Sequence, residues 1–152
     1  MIVAYTLFPA RHPVPPLGGQ LAIPRPVLPV RVFGPSGDFL KDGLLDTGAD
    51  ETIFPLAVAQ HIGIDLTGAR ARGVQLFGRG VVQCRYARVD LRITDGQQET
   101  YEWTTLVGFV SFPMLRALLG YADFLQFFDV TFRGADQEVV LFPNGSFPGR
   151  IP

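Results

Sequence analysis

Apolar residues in this chain come in short runs, and glycine or proline interrupts nearly every one. From Val89 onward the alternation is regular: Val89, Leu91 and Ile93 share one face while Arg88, Asp90 and Arg92 share the other, the period of a half-buried strand. Just upstream the apolar set is Val82, Cys84 and Tyr86, so the phase changes near Ala87 and a bulge or bend in one long strand is expected. Val30 to Phe33 and Phe39 to Leu45, joined by GPSGD at 34–38, predict a hairpin. RGVQLFGRGVV at 72–82 predicts a second, with Gly78 and Gly80 at its tip. A further strand follows the DGQQ turn over Thr100 to Val107, and a last hairpin joins Phe128 to Phe132 with Glu138 to Pro143. Helices are confined to short pieces. One starts near Pro55, well placed in a first turn, and runs through Ile62 to a stop at Gly63, with Val58 and Ile62 on its core face. Another is expected at 121–127, and Pro113 to Ala117 reads as short helix or irregular chain.

The N-terminal stretch differs. Residues 2–8 read as a strand or extended arm, and residues 9–29 hold seven prolines, predicting a stiff, irregular connection whose apolar residues pack against a body. The chain of 152 residues fits one domain, and its 17 Gly and 13 Pro disfavour long helices, leaving an all-β, turn-rich fold. A formal charge of -1 offers no general attraction to nucleic acid or anionic membrane. The arginines at 70, 72, 79, 85, 88 and 92 read as a solvated strand face, or as a flap favouring acidic substrates. No apolar run is long enough for a spanning helix, and MIVAYTLF lacks the basic preamble of a secretory signal. The single cysteine, Cys84, excludes an internal disulfide and reads as core, and His12 and His61 lack metal-site spacing with it, so no metal is expected.

The chemistry concentrates at DTGADETIFP, residues 46–55. Asp46 follows Leu44 and Leu45, and a carboxylate buried there needs hydrogen bonds or a partner. Thr47 supplies a hydroxyl, and Gly48 permits backbone angles closed to its neighbours. One carboxylate does not readily act as both base and acid toward a peptide bond, whereas two from a symmetric dimer do. Such a pair shares a proton over the mildly acidic range, because like charges resist simultaneous ionisation. There is also a weak internal echo: Leu44-Leu45-Asp46-Thr47-Gly48 and Ala117-Leu118-Leu119-Gly120 each follow a strand and precede a helix.

DTGADET at 46–52 resembles the catalytic loop of retroviral-type, or retropepsin-like, aspartic proteases, and LLGYADFL at 118–125 resembles that family's second signature. The resemblance covers about residues 27–143, leaving 1–26 as an N-terminal arm and Pro-rich extension and 144–152 as a tail. It implies a closed β-barrel subunit with one or two short helices and a flap hairpin. It also implies a homodimeric aspartic endopeptidase without cofactors, acting on peptide or protein substrates, in a stand-alone form that is bacterial and cytoplasmic. By the same resemblance Asp46, Thr47 and Gly48 are catalytic, Thr47 locking the two loops across the dimer. Ala49, Asp50, Leu76, Phe77, Gly78 and Leu118 meet substrate, and 74–80 is the flap. Two departures stand out: Tyr121 occupies the place where many viral members have an arginine bracing the loop, and Phe77 and Arg79 are bulky for a flap tip. They keep a second reading open, a catalytically silent peptide-binding or assembly module. Asp50 and Glu51 could instead cap the helix near Pro55, and Asp123 is an internal cap or surface carboxylate. Residues 2–8 and 143–152 are candidates for pairing between subunits, since exposed strand edges need partners.

Overall fold

The computed structural model describes residues 1–76 and 80–150. In chain order it forms β1 (Ile2–Ala4), β2 (Thr6–Val14), β3 (Gln20–Arg25), β4 (Val27–Gly34), β5 (Gly37–Leu45), β6 (Ile53–Pro55), α1 (Leu56–His61), β7 (Ala71–Leu76), β8 (Gly80–Thr94), β9 (Thr100–Val110), β10 (Ala117–Leu119), β11 (Phe128–Arg133) and β12 (Glu138–Pro143). The architecture is all-β. Strands β4, β5, β10, β6, β9 and β8 pair in that order, and β8 pairs back onto β4, so the sheet closes into a barrel with β7 on its outer edge. Closure follows from the alternation read in the sequence: Val30 and Val32 of β4 face inward opposite Ile93 and Leu91 of β8, and all four are buried. Buried Phe54, Phe109 and Leu119 fill the interior from β6, β9 and β10.

Helix α1 covers the barrel with Val58 and Ile62, both buried as their spacing predicts. It ends at Gly63, whose φ of +75° only glycine adopts freely, and Ile64 N–H donates back to the Ala59 carbonyl at 2.9 Å. A second sheet, β1-β12-β11, encloses an aromatic cluster in which Trp103, Phe124, Phe128 and Phe147 stack edge-on or tilted. Phe147 belongs to the C-terminal tail, and Arg150 N–H donates to the Glu102 carbonyl at 3.1 Å. Arg150 in the tail, and β1 through its pairing with β12, therefore make hydrogen bonds within the chain.

Three expectations need correction. Residues 9–29 are not an irregular connection, because β2 and β3 form a two-stranded hairpin that shares no ladder with the other sheets. A two-stranded ribbon leaves one edge of each strand unpaired, and proline is tolerated there. Pro15 opens a short 3-10 turn, Pro15–Leu17, at the hairpin tip. Of the bulge or bend expected near Ala87, the bulge is absent from the β8–β9 ladder. The register of β8 against β9 is unbroken from Cys84 opposite Val110 to Thr94 opposite Thr100. The phase change arises because opposite faces are buried at its two ends: Cys84 joins a small cluster with Ile53, Val74 and Val110, while Val89, Leu91 and Ile93 face the main core. Finally, the helix expected at 121–127 is a turn ending in a 3-10 piece, Leu125–Phe127.

Candidate active site

The echo between the two signatures has a structural counterpart. Strand β10 lies parallel to β5, with Leu118 opposite Leu44 and Leu119 opposite Leu45. Asp46, the next residue, donates its N–H to the Leu119 carbonyl at 3.1 Å. The chain then turns sharply: Ala49 N–H donates to the Asp46 carbonyl at 3.1 Å, and Gly48 N–H to Asp46 Oδ1 at 2.9 Å. That last bond fixes the direction of a half-buried carboxylate, while Thr47 and Gly48 beside it are exposed. Gly48 is not in the left-handed region, so the expected reason for glycine there is corrected. What the site needs is room, since a Cβ would stand 3.3 Å from Asp46 Oδ1.

The loop is braced from behind by backbone. Tyr121 N–H donates to the Ala49 carbonyl and Ala122 N–H to the Asp50 carbonyl, each at 2.9 Å, and the buried Thr52 hydroxyl donates to the Ala122 carbonyl. Gly120 makes this approach feasible: a Cβ there would lie 2.4 Å from the Glu51 carbonyl oxygen. The side chain of Tyr121 points away and is 65% exposed, so the residue standing where an arginine brace was expected contributes through its amide instead.

A cleft of about 520 Å³ opens between this loop and β7. Asp46, Gly48, Ala49, Asp50 and Leu118 line one wall, and Arg72 to Gln75 line the other. Five of the nine residues expected at the site from sequence thus line one cleft, Asp46, Gly48, Ala49, Asp50 and Leu118, while Thr47 is exposed beside Asp46 and does not line it. Leu76 pairs through its backbone with Gly80 at the end of the β7–β8 hairpin. Its side chain, together with Phe77, Gly78 and Arg79, lies outside the described residues.

Sequence reasoning missed a second group of residues. Glu51 is no helix cap: α1 starts at Pro55 without a side-chain cap. Its carboxylate instead accepts the Tyr86 hydroxyl at Oε2 (2.5 Å) and pairs through Oε1 with Arg72. Arg72 is on β7 and Tyr86 on β8, so Glu51 ties the base of the hairpin to the Asp46 loop. Burial pushes the Tyr86 phenol up, and its hydrogen bond with Cys84 adds to the shift. Burial likewise raises the Cys84 thiol. The pairing was partly readable: once the 72–82 hairpin is drawn, Arg72 falls opposite Cys84, two residues from Tyr86 on the same face. The loop that delivers Glu51 to them was not.

Three of the six arginines on this stretch have partners, and Arg79 lies outside the described residues. Arg72 is paired with Glu51, Arg92 with Glu102, and Arg85 donates to the Leu66 carbonyl. Among the described residues no cluster of His, Cys, Asp and Glu is arranged to hold a metal. His61 packs edge-on against Phe39. No helix is long and apolar enough to cross a membrane among the described residues.

No protein-family model matches the chain, and no curated protein does. Among solved structures, a retropepsin-like aspartic protease from Rickettsia conorii superposes with a TM-score of 0.53 at 15% identity, over 93% of this chain and 88% of that one. The fold is retropepsin-like. Two more structures align over less of this chain: the EIAV protease complexed with the inhibitor HBY-793 (TM-score 0.43, 22% identity, 63% of this chain and 81% of that one) and the retroviral protease-like domain of Ddi1 from Leishmania major (0.47, 13%, 80% and 98%). With TM-scores below 0.5 they add nothing to the assignment, which rests on the Rickettsia structure. The retropepsin-like barrel accounts for the placement of both signatures, since β10 enters between β5 and β6 and sets its glycine under the Asp46 loop.

Proposed function

We propose that this chain is an aspartic endopeptidase acting as a homodimer, with Asp46 of each copy forming one dyad. The observation that carries the reading is the Asp46 carboxylate itself: held in direction by Gly48 N–H at the edge of a peptide-sized cleft, with Thr47 and Gly48 exposed where a second loop could meet them. In the dimer one Asp46 is ionised and the other protonated. The ionised member takes a proton from a water held between them, and that water attacks the amide carbonyl. The protonated member donates to the developing oxyanion, and transfer of a proton to the leaving nitrogen lets the intermediate collapse. In this reading Thr47 joins the two loops, Gly48 and Asp50 hold the substrate main chain, and Ala49 and Leu118 pack under its side chains. Leu76, Phe77 and Gly78 close over it. Neither metal nor cofactor enters the scheme, and a cytoplasmic setting suits the buried free thiol of Cys84.

The test is digestion of a diverse peptide library from acid to neutral pH, read by mass spectrometry, with wild type and Asp46→Asn prepared identically. Cleavage by wild type and a loss of at least ~10²-fold in the variant are expected. A folded wild-type dimer that binds peptides and cuts none across that range would replace this reading with a silent binding module, the alternative that the exposed Tyr121 favours.

A further inference from the structure

The β2–β3 hairpin, residues 6–25, has no buried residue, yet it carries Leu7, Phe8, Ala10, Val14, Leu21 and Ile23. Leu7 and Leu21 are each 60% exposed. Strand alternation puts these two leucines on opposite faces of the ribbon, so neither face is dedicated to the body. One contact between the hairpin and the barrel is the Arg116 guanidinium, 3.4 Å from the centre of the Phe8 ring. An isolated two-stranded hairpin is marginally stable in water, and a stable one needs something apolar to cover it.

Its root says where the cover comes from. The hairpin ends at Arg25, and the next carbonyl, Pro26, accepts the N–H of Leu45, the residue before Asp46. The hairpin therefore springs from the end of the barrel that carries the Asp46 loop. The segment 115–121, which touches the hairpin through Arg116 and the loop through Tyr121, adds two more exposed apolar side chains: Leu115 at 86% and Tyr121 at 65%. Apolar groups of this size gathered around one end of a molecule mark an interaction surface. Charge is divided in a complementary way. Residues 6–25 hold Arg11 and Arg25 and no acid, giving +2 in a chain of net charge -1, so the remainder carries -3. At the Asp46 end the exposed acids include Asp42 and Asp50.

We propose that the 6–25 hairpin is an arm that packs onto a second copy of this chain, against the Asp46 end of the partner. This rests on the dimeric reading above and adds the surface that holds the dimer. If two copies bring their Asp46 loops together about a twofold axis, an arm rooted one strand away from each loop is within reach of the other copy, and the symmetry makes the contact reciprocal. Its basic, apolar ribbon then meets an acidic, apolar rim, and the reciprocal contact occurs on the other side.

The experiment compares wild type, the double variant Leu7→Glu/Leu21→Glu, and the control Leu40→Glu, an exposed position on β5. Oligomeric state is followed by sedimentation across a concentration series, with circular dichroism to verify the fold. In parallel, heavy-isotope protein carrying a photo-cross-linker at Leu21 is mixed with unlabelled protein. The double variant should raise the dimer dissociation constant at least ~10-fold, the control should match wild type, and heavy-to-light cross-links should form. A dimeric, peptide-cutting wild type whose double variant dimerises equally well, or whose Leu21 cross-links stay within one chain, overturns the arm and leaves the protease reading standing. A wild type that stays monomeric at every concentration overturns both.

Discussion

At position 120 the absence of a side chain decides how closely the two signature segments meet. A Cβ on Gly120 would stand 2.4 Å from the Glu51 carbonyl oxygen and 2.7 Å from that of Ala49, both backbone atoms with no rotamer to give way. Gly120→Ala should therefore lower stability by about 1–3 kcal/mol, read as a drop in the thermal midpoint. An unchanged midpoint would mean that the loop yields easily and that the close packing is unimportant. Asp123 offers a different test. It holds a left-handed φ of 71° and accepts the Thr105 hydroxyl at 2.9 Å, while burial pushes its carboxyl above the ordinary 3.8. The folded state thus binds this proton more tightly than the unfolded chain. The associated stability is present below the unfolded value and is lost as pH rises through the folded one. Asn keeps the acceptor and tolerates the left-handed backbone. Asp123→Asn should raise the thermal midpoint at neutral pH, with the gain vanishing below pH 3.8, and an equal gain at both pH values would assign it to something other than the charge. Both glycines of the signatures were legible as motif letters. Their physical reasons, room beside an oxygen in each case, required the neighbouring chain.

Among the elements, the β7–β8 hairpin is fastened at its base by Glu51, Arg72 and Tyr86. Tyr86→Phe removes one donor and leaves Glu51 to Arg72 alone, at an expected loss of about 1 kcal/mol or more in denaturant unfolding. In the proposed enzyme the looser hairpin should raise KM more than it lowers kcat. A variant with wild-type stability and KM would remove the tie from the account. Apolar runs and turn residues made β4, β5, β8, β9, β11 and β12 legible in sequence, most clearly where one face is buried, as in β4 and the second half of β8. Two elements were misjudged for definite causes. Prolines in 9–29 mimic a linker, but a ribbon with free edges accommodates them. At 121–127 the left-handed Asp123 breaks the helical path, and Leu125 and Gln126 donate N–H groups five residues back, to the Gly120 and Tyr121 carbonyls.

For the whole molecule, the proposed dyad, split between two copies, would make activity depend on assembly. Diluting the enzyme should lower its specific activity, and mixing it with equal Asp46→Asn protein should leave about a quarter of the dimers with two intact carboxylates. Specific activity constant over dilution, and unaffected by the mixed-in variant, would argue for a subunit that works alone. Composition and alternation announced an all-β fold, and the closed barrel came from the resemblance; alternation said nothing of the strand order. Strand β10 lies between β5 and β6, although it follows both by more than sixty residues of chain, and β1 waits for β12 at the other end. Contacts so distant in sequence fold slowly, in milliseconds to seconds. During synthesis, residues 46–52 emerge long before Leu119 and Gly120, which hold them in place. A half-made chain therefore displays the aspartate without the support that aims it, and in the proposed reading would stay inert until Leu119 and Gly120 have emerged.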